Sequence, residues 1–135
     1  MDHVAEGSCL CGRVAFRISG AFERFFLCHC KRCRKGTGSA HAANLFAPAG
    51  RLDWLSGADL VSTYRVADTR HQRSFCSACG SAVPNKRANG AGLVVPAGCL
   101  DSAVALRPDA HIFDADRAEW DAHLEDVPRL PGRPG

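Results

Sequence analysis

The chain has 135 residues, 46% of them hydrophobic, and its 17 Lys+Arg against 14 Asp+Glu leave a formal charge of +3. That length fits one domain, and the near balance of charge gives no footing for a nucleic-acid or membrane partner. Much of the hydrophobic content is alanine, so a modest core is expected, one that gains from metal staples.

The opening residues, Met1 to Gly7, are acidic and contain no apolar stretch, so no signal peptide is expected there. No uninterrupted apolar run approaches the length of a membrane span. A cytoplasmic protein is therefore expected, and there close cysteine pairs serve metal binding or redox chemistry rather than a disulfide framework. Cys9-Leu10-Cys11 is the first such pair. Val14, Phe16 and Ile18 then alternate with polar or small residues, the period-two pattern of a half-buried strand that Gly20 ends. Phe25-Phe26-Leu27 predicts a second strand running into Cys28-His29-Cys30-Lys31-Arg32-Cys33, with a helical turn over residues 31–35.

A third strand is expected over residues 41–46, closed by Pro48-Ala49-Gly50. Beyond the Ser56-Gly57 turn, residues 60–66 predict a strand with Leu60, Tyr64 and Val66 on one face. Arg73-Ser74-Phe75 leads into Cys76-Ser77-Ala78-Cys79-Gly80, and Ala82-Val83 leaves it. Residues 93–95, 104–106 and 111–113 supply further short strands, and 116–123 a second helical stretch. Regularly spaced short strands argue for a mainly β architecture of antiparallel pairs with one or two helical turns. The domain is expected over residues 1–126, with a Pro/Gly-rich tail over 127–135.

Seven of the eight cysteines thus fall into two pairs and one triplet. Residues two apart in an extended segment project to one side, so Cys9 and Cys11 can face one ion, as can Cys28 and Cys30, with His29 turned away. Cys76-x-x-Cys79-Gly80 has the form of a knuckle. The expected closed set is Cys9, Cys11, Cys76 and Cys79, tying distant parts of the chain together. Spacing leaves Cys28, Cys30 and Cys33 with three readings. They form an open, catalytic metal site, a structural site completed by Cys99 or a histidine, or a metal-free redox pair at Cys30 and Cys33. Isolated Cys99 reads most simply as a small buried residue.

Taken in order, Gly7-Ser8-Cys9-Leu10-Cys11-Gly12, Cys28 through Ser39 and Phe75-Cys76-Ser77-Ala78-Cys79-Gly80-Ser81 resemble the glutathione-dependent formaldehyde-activating enzyme family, whose domain is also called the centromere protein V type. Weaker echoes are Ala97 to Asp101, His111-Ile112-Phe113 and Trp120. The resemblance implies a zinc-binding β-tent fold, shared with Rab-binding zinc chaperones and zinc-containing methionine sulfoxide reductases. It implies a structural zinc at Cys9, Cys11, Cys76 and Cys79, and a second, catalytic zinc at Cys28, Cys30 and Cys33. The activity implied is that of a carbon–sulfur lyase joining glutathione and formaldehyde into S-(hydroxymethyl)glutathione, so the expected partner is a small thiol or its aldehyde adduct. Cys99 departs from the family pattern, and its sulfur near the second zinc would close the open position.

Lys31, Arg32, Arg34 and Lys35 surround the triplet and could hold the carboxylates of such a ligand, or form a solvated charged turn. No phosphate-binding or dinucleotide fingerprint is present, so no organic cofactor site is expected. The alternative function is a non-catalytic binding module of the same fold, stabilised by both zincs. A fourth protein ligand at the triplet would favour it.

Overall fold

Val14, Phe16 and Ile18 are fully buried while Arg13 and Arg17 face solvent, so the alternation read from the sequence is that of a real strand face. The computed structural model describes residues 3–135; Met1 and Asp2, which open the expected 1–126 domain, lie outside the described residues. Among the described residues, eleven strands in three small sheets, one short α-helix and four 3-10 turns make up the regular structure. The first sheet has the order β1-β2-β5, from Val4–Ser8, Ala15–Ser19 and Arg51–Ser56. The second is β11-β3-β4-β10-β9, from Ala110–Ile112, Arg24–Cys28, Ala42–Ala47, Leu93–Pro96 and Asn85–Lys86. The third is β6-β7-β8, from Val61–Arg65, Gln72–Cys76 and Ala82–Val83.

All pairings are antiparallel except that of β11 with β3, which is parallel and aligns Ile112 with Cys28. The largest core gathers Phe16, Ile18, Phe25, Leu45, Ala47, Leu93 and Val95 between the first two sheets. Two smaller clusters are built around sulfur. Cys9 and Cys76 pack with Val14 and Val83, and Cys28 and Cys33 pack with Ala42. Small satellite cores of this kind bury little apolar area, so they depend on cross-links to stay closed.

Two expected elements do not form. Residues 104–106 have no strand pairing; just before them, Asp101 and Ser102 hydrogen-bond to Glu6 and Ser8 of β1. Residues 116–123 form no α-helix: after a 3-10 turn over Asp114–Asp116 they run through turns and bends, with the non-glycine residues Phe113, before the stretch, and His123, at its end, at φ 52° and 54°. Trp120 is exposed there, so no apolar stripe exists for such a helix to bury. No regular element forms over the 127–135 tail. Among the described residues, no helix is long and apolar enough to cross a membrane.

Candidate metal centres

Cys9 to Gly12 is a tight turn after β1 rather than the extended segment expected, closed by the Gly12 amide donating to the Cys9 carbonyl at 3.1 Å. Gly12 sits at φ 81° and Gly80 at φ 77°, left-handed conformations that a residue with a Cβ adopts at a cost. The second knuckle follows β7, where the Gly80 amide donates to the Cys76 carbonyl at 2.7 Å. The Leu10 amide donates to Ser81 Oγ at 3.0 Å and links the two turns.

This geometry brings the sulfurs of Cys9, Cys11, Cys76 and Cys79 within 4.8 Å of one another. Cys9 and Cys11 Sγ are 3.5 Å apart, and Cys11 and Cys76 Sγ 4.0 Å. Sulfurs around a tetrahedral zinc stand about 3.8 Å apart, given a Zn–S bond of about 2.3 Å. All eight cysteines are free thiols. The thiols resist ionising together. Hydrogen bonds from the Ser81 side chain and backbone hold Cys79 down to about 5. Against a hydrogen bond from Arg13, desolvation and the three neighbouring sulfurs push Cys11 up to about 11. A set that can ionise fully only around a positive centre has the donor chemistry of a divalent soft-metal site.

The triplet is placed by the end of β3 and the start of α1 (Lys31–Thr37). Cys30 is the N-cap, its sulfur accepting from the Cys33 amide at 3.4 Å. The sulfurs of Cys28, Cys30 and Cys33 also lie within 4.8 Å of one another, and among the described residues no fourth Cys, His, Asp or Glu joins them. Burial, reinforced by its neighbours, pushes the Cys33 thiol well up, and burial likewise raises Cys28. Burial also opposes the Cys30 anion, but the Cys33 amide and the two adjacent thiols outweigh it, and its pKa falls.

Cys99 takes no part in either cluster. It packs against the main core, and burial pushes its pKa up to about 12. Cys99→Ala should therefore leave the metal content unchanged and cost only about 1 kcal/mol, the scale of one buried methylene. Denaturant melting beside elemental analysis checks both.

Cys28 and Cys33 open onto a cavity of about 220 Å³ between the second and third sheets, whose wall also carries Arg70, His71 and Arg87. An adjoining hollow adds Arg32 and Arg73. The Arg73 guanidinium lies 5.2 Å from the Phe75 ring centroid and Arg87 5.8 Å from that of Phe46, within the range of cation–π attraction. A buried network stiffens the wall: Gln72 Nε2 and Ser74 Oγ each donate to Asn85 Oδ1 at 3.0 Å. Of the basic residues expected around the triplet, only Arg32 faces these cavities. Lys31 and Lys35 line a shallower hollow outside them, and Arg34 lines none. Arg70, Arg73 and Arg87 were not singled out, because they lie far along the chain from the triplet and only the packing of the second and third sheets brings them close.

Fold and site together define a mainly β protein organised on one four-sulfur and one three-sulfur cluster, each able to hold a metal ion. The model of the family described as "Glutathione-dependent formaldehyde-activating enzyme" matches residues 4–116, and the chain belongs to that family. It is 33% identical over 123 residues to a Halomonas elongata protein named "Putative glutathione-dependent formaldehyde-activating enzyme", covering 85% of this chain and 78% of that one. The fold is similar to the crystal structure of a Rhodobacter sphaeroides protein, with a TM-score of 0.57 and 22% identity over 78% of this chain and 98% of that chain.

Proposed function

We propose that the protein is a zinc-dependent carbon–sulfur lyase that forms and cleaves a thiol–aldehyde adduct, with glutathione and formaldehyde as the leading pair. The observation that carries this reading is the three-sulfur cluster, which has no fourth protein donor among the described residues and faces an arginine-lined cavity. Cys28, Cys30 and Cys33 would hold the catalytic zinc, and Cys9, Cys11, Cys76 and Cys79 the structural one. When bound, the catalytic ion supplies acidification of a thiol and positive charge at an oxygen. The family match and the Halomonas relative's name support the choice of substrates.

In the forward direction the substrate sulfur adds to the carbonyl carbon and a C–S bond forms. The C=O π pair moves to oxygen, which takes up the proton that the thiol released. Arg32, Arg70, Arg73 and Arg87 bind and orient the carboxylates of the thiol substrate, and they offset the negative charge of three thiolates. His71 stands on the same wall. Burial, then Arg32 and Arg73, lower its pKa below the ordinary 6.5, so the ring is neutral at neutral pH and can take the thiol proton at a free ring nitrogen.

Two expectations follow from the cavity. Arg70→Ala and Arg87→Ala should each raise KM for glutathione about tenfold, the loss of one charge-assisted hydrogen bond, with little change for a thiol that lacks carboxylates. Equal losses for both thiols would remove the carboxylate-binding role. The His71 ring should titrate below 6.5 by NMR. Because the unfolded chain then protonates first, this histidine's contribution to stability holds above about pH 6.5 and declines as the pH falls below it. A midpoint above 6.5 contradicts the assignment.

The adduct also forms without a catalyst, so the activity is tested by exchange at equilibrium rather than by accumulation. Magnetisation transfer between formaldehyde hydrate and adduct should accelerate with protein present. No acceleration and no thiol binding across several thiols, with the triplet's zinc in place, would sink the lyase reading.

A further inference from the structure

We infer that His29, His41 and Asp121 form a third cation site, built on the opposite side of β3 from the triplet and suited to a first-row divalent transition metal such as zinc. Among the described residues, four buried side-chain nitrogen or oxygen atoms lack a hydrogen-bond partner: His29 Nδ1, His41 Nδ1, Asp121 Oδ2 and Arg34 Nε. The residues that carry the first three, His29, His41 and Asp121, each bring one ligand atom within 4.8 Å of the other two. Orphaned polar atoms are rare in a folded interior, and three converging on one point have a shared cause.

The backbone explains the convergence. Cys28 pairs with Ala42 across β3 and β4, so His29 and His41 are the next residues to face each other, and their ring centroids are 5.2 Å apart. Alternation along β3 turns His29 away from the sulfurs on either side of it. Asp121 arrives from the C-terminal segment, its side chain 8% exposed beside a His29 that is 2% exposed.

His29 Nδ1 and Asp121 Oδ2 are 3.0 Å apart, yet they are not aligned as a hydrogen bond. On its other edge His29 Nε2 meets His111 Nδ1 at 2.7 Å. A cation held by both atoms would join Nδ1 to the carboxylate oxygen without a hydrogen bond between them. Nitrogen and oxygen ligands of one cation, each about 2.0–2.2 Å from it, stand about 3.0–3.4 Å apart. His111 then serves as the outer partner that orients a ligating imidazole.

Two imidazoles and one carboxylate suit zinc or iron rather than calcium or magnesium, and they leave coordination positions open. A polar surface hollow lined by Asp114, Asp121 and Glu125, with Arg117 paired to Asp114 and His123 on the same wall, gives a cation its way in. The site also accounts for the C-terminal segment. Between the left-handed Phe113 and His123 it has no strand, and Asp121 is its contact with the buried histidine. A cation here clasps that segment onto β3 and β4, whether or not the triplet is catalytic.

The test adds Co²⁺ to the zinc-loaded protein as purified, and compares wild type with Asp121→Asn and His41→Gln. Wild type should take up one further equivalent, giving weak visible absorption without the thiolate charge-transfer band of the cysteine sites. The ring signals of His29 and His41 should broaden, and proteolysis after residue 113 should slow. Both variants should bind cobalt at least about tenfold more weakly. If the variants fold poorly, the broadening in wild type decides the matter alone. No uptake by wild type, equal uptake by folded variants, or a thiolate band with the new equivalent would each overturn the site.

Discussion

Cys76→Ser is expected to leave the chain without a cooperative fold. Cys76 is fully buried at the end of β7, packed against Cys9, Val14 and Val83. The substitution strands a hydroxyl in that cluster and removes one of four sulfur ligands. Structural zinc contributes about 10–16 kcal/mol to small domains, against a total stability of about 5–15 kcal/mol. The staple also joins the turn after β1 to the turn after β7, closing a long loop whose entropy otherwise opposes the contact. The expected result is insoluble expression, or a soluble chain without near-UV circular dichroism and without dispersed NMR signals. A variant that melts cooperatively within about 2 kcal/mol of wild type would show that this cluster is not the staple.

Cys30→Ser is expected to do the opposite, keeping the fold and losing the chemistry. Cys30 is the least buried of the triplet and caps α1 by accepting from the Cys33 amide. Serine is a preferred N-cap residue, so the helix start survives the exchange. What changes is a three-sulfur site reduced to two, with no other protein donor within reach among the described residues. Losing even an outer-shell partner costs 10–100-fold in metal affinity or activity, so losing a ligand should lower exchange by at least about 100-fold, to near the uncatalysed rate. Thermal melting should shift by only a few degrees. If Cys30→Ser and Cys76→Ser lost stability equally, both clusters would be structural and the binding-module reading would gain.

The metal clusters were legible because cysteine spacing is a local signal: pairs and a triplet of thiols have few other uses in one small domain. The strand at Ala15–Ser19 was legible through side-chain alternation, and that at Arg24–Cys28 through its apolar run Phe25-Phe26-Leu27. β1 escaped notice because its buried positions are Ala5 and Gly7, too small to mark a hydrophobic face. The parallel pairing of β11 with β3 joins segments more than eighty residues apart, and nothing local announces it. Most of the cavity wall was hidden likewise, since Arg70, Arg73 and Arg87 join Arg32 only through sheet packing. Asp121 lay inside a stretch that read as helix, although its carboxylate belongs beside His29.

The division of labour between the two cysteine clusters is tested most directly by removing metal in steps from cobalt-substituted protein. A mild chelator is titrated while thiolate-to-cobalt absorption, circular dichroism and adduct exchange are read on one sample. The three-sulfur site should empty first, because three protein ligands hold a cation less firmly than four. Exchange acceleration should vanish with that first loss of thiolate absorption, with the β-sheet signal intact, and unfolding should follow only with the second. Exchange that outlasts the first loss, or unfolding that accompanies it, would contradict the assignment of chemistry to Cys28, Cys30 and Cys33 and of the fold to Cys9, Cys11, Cys76 and Cys79.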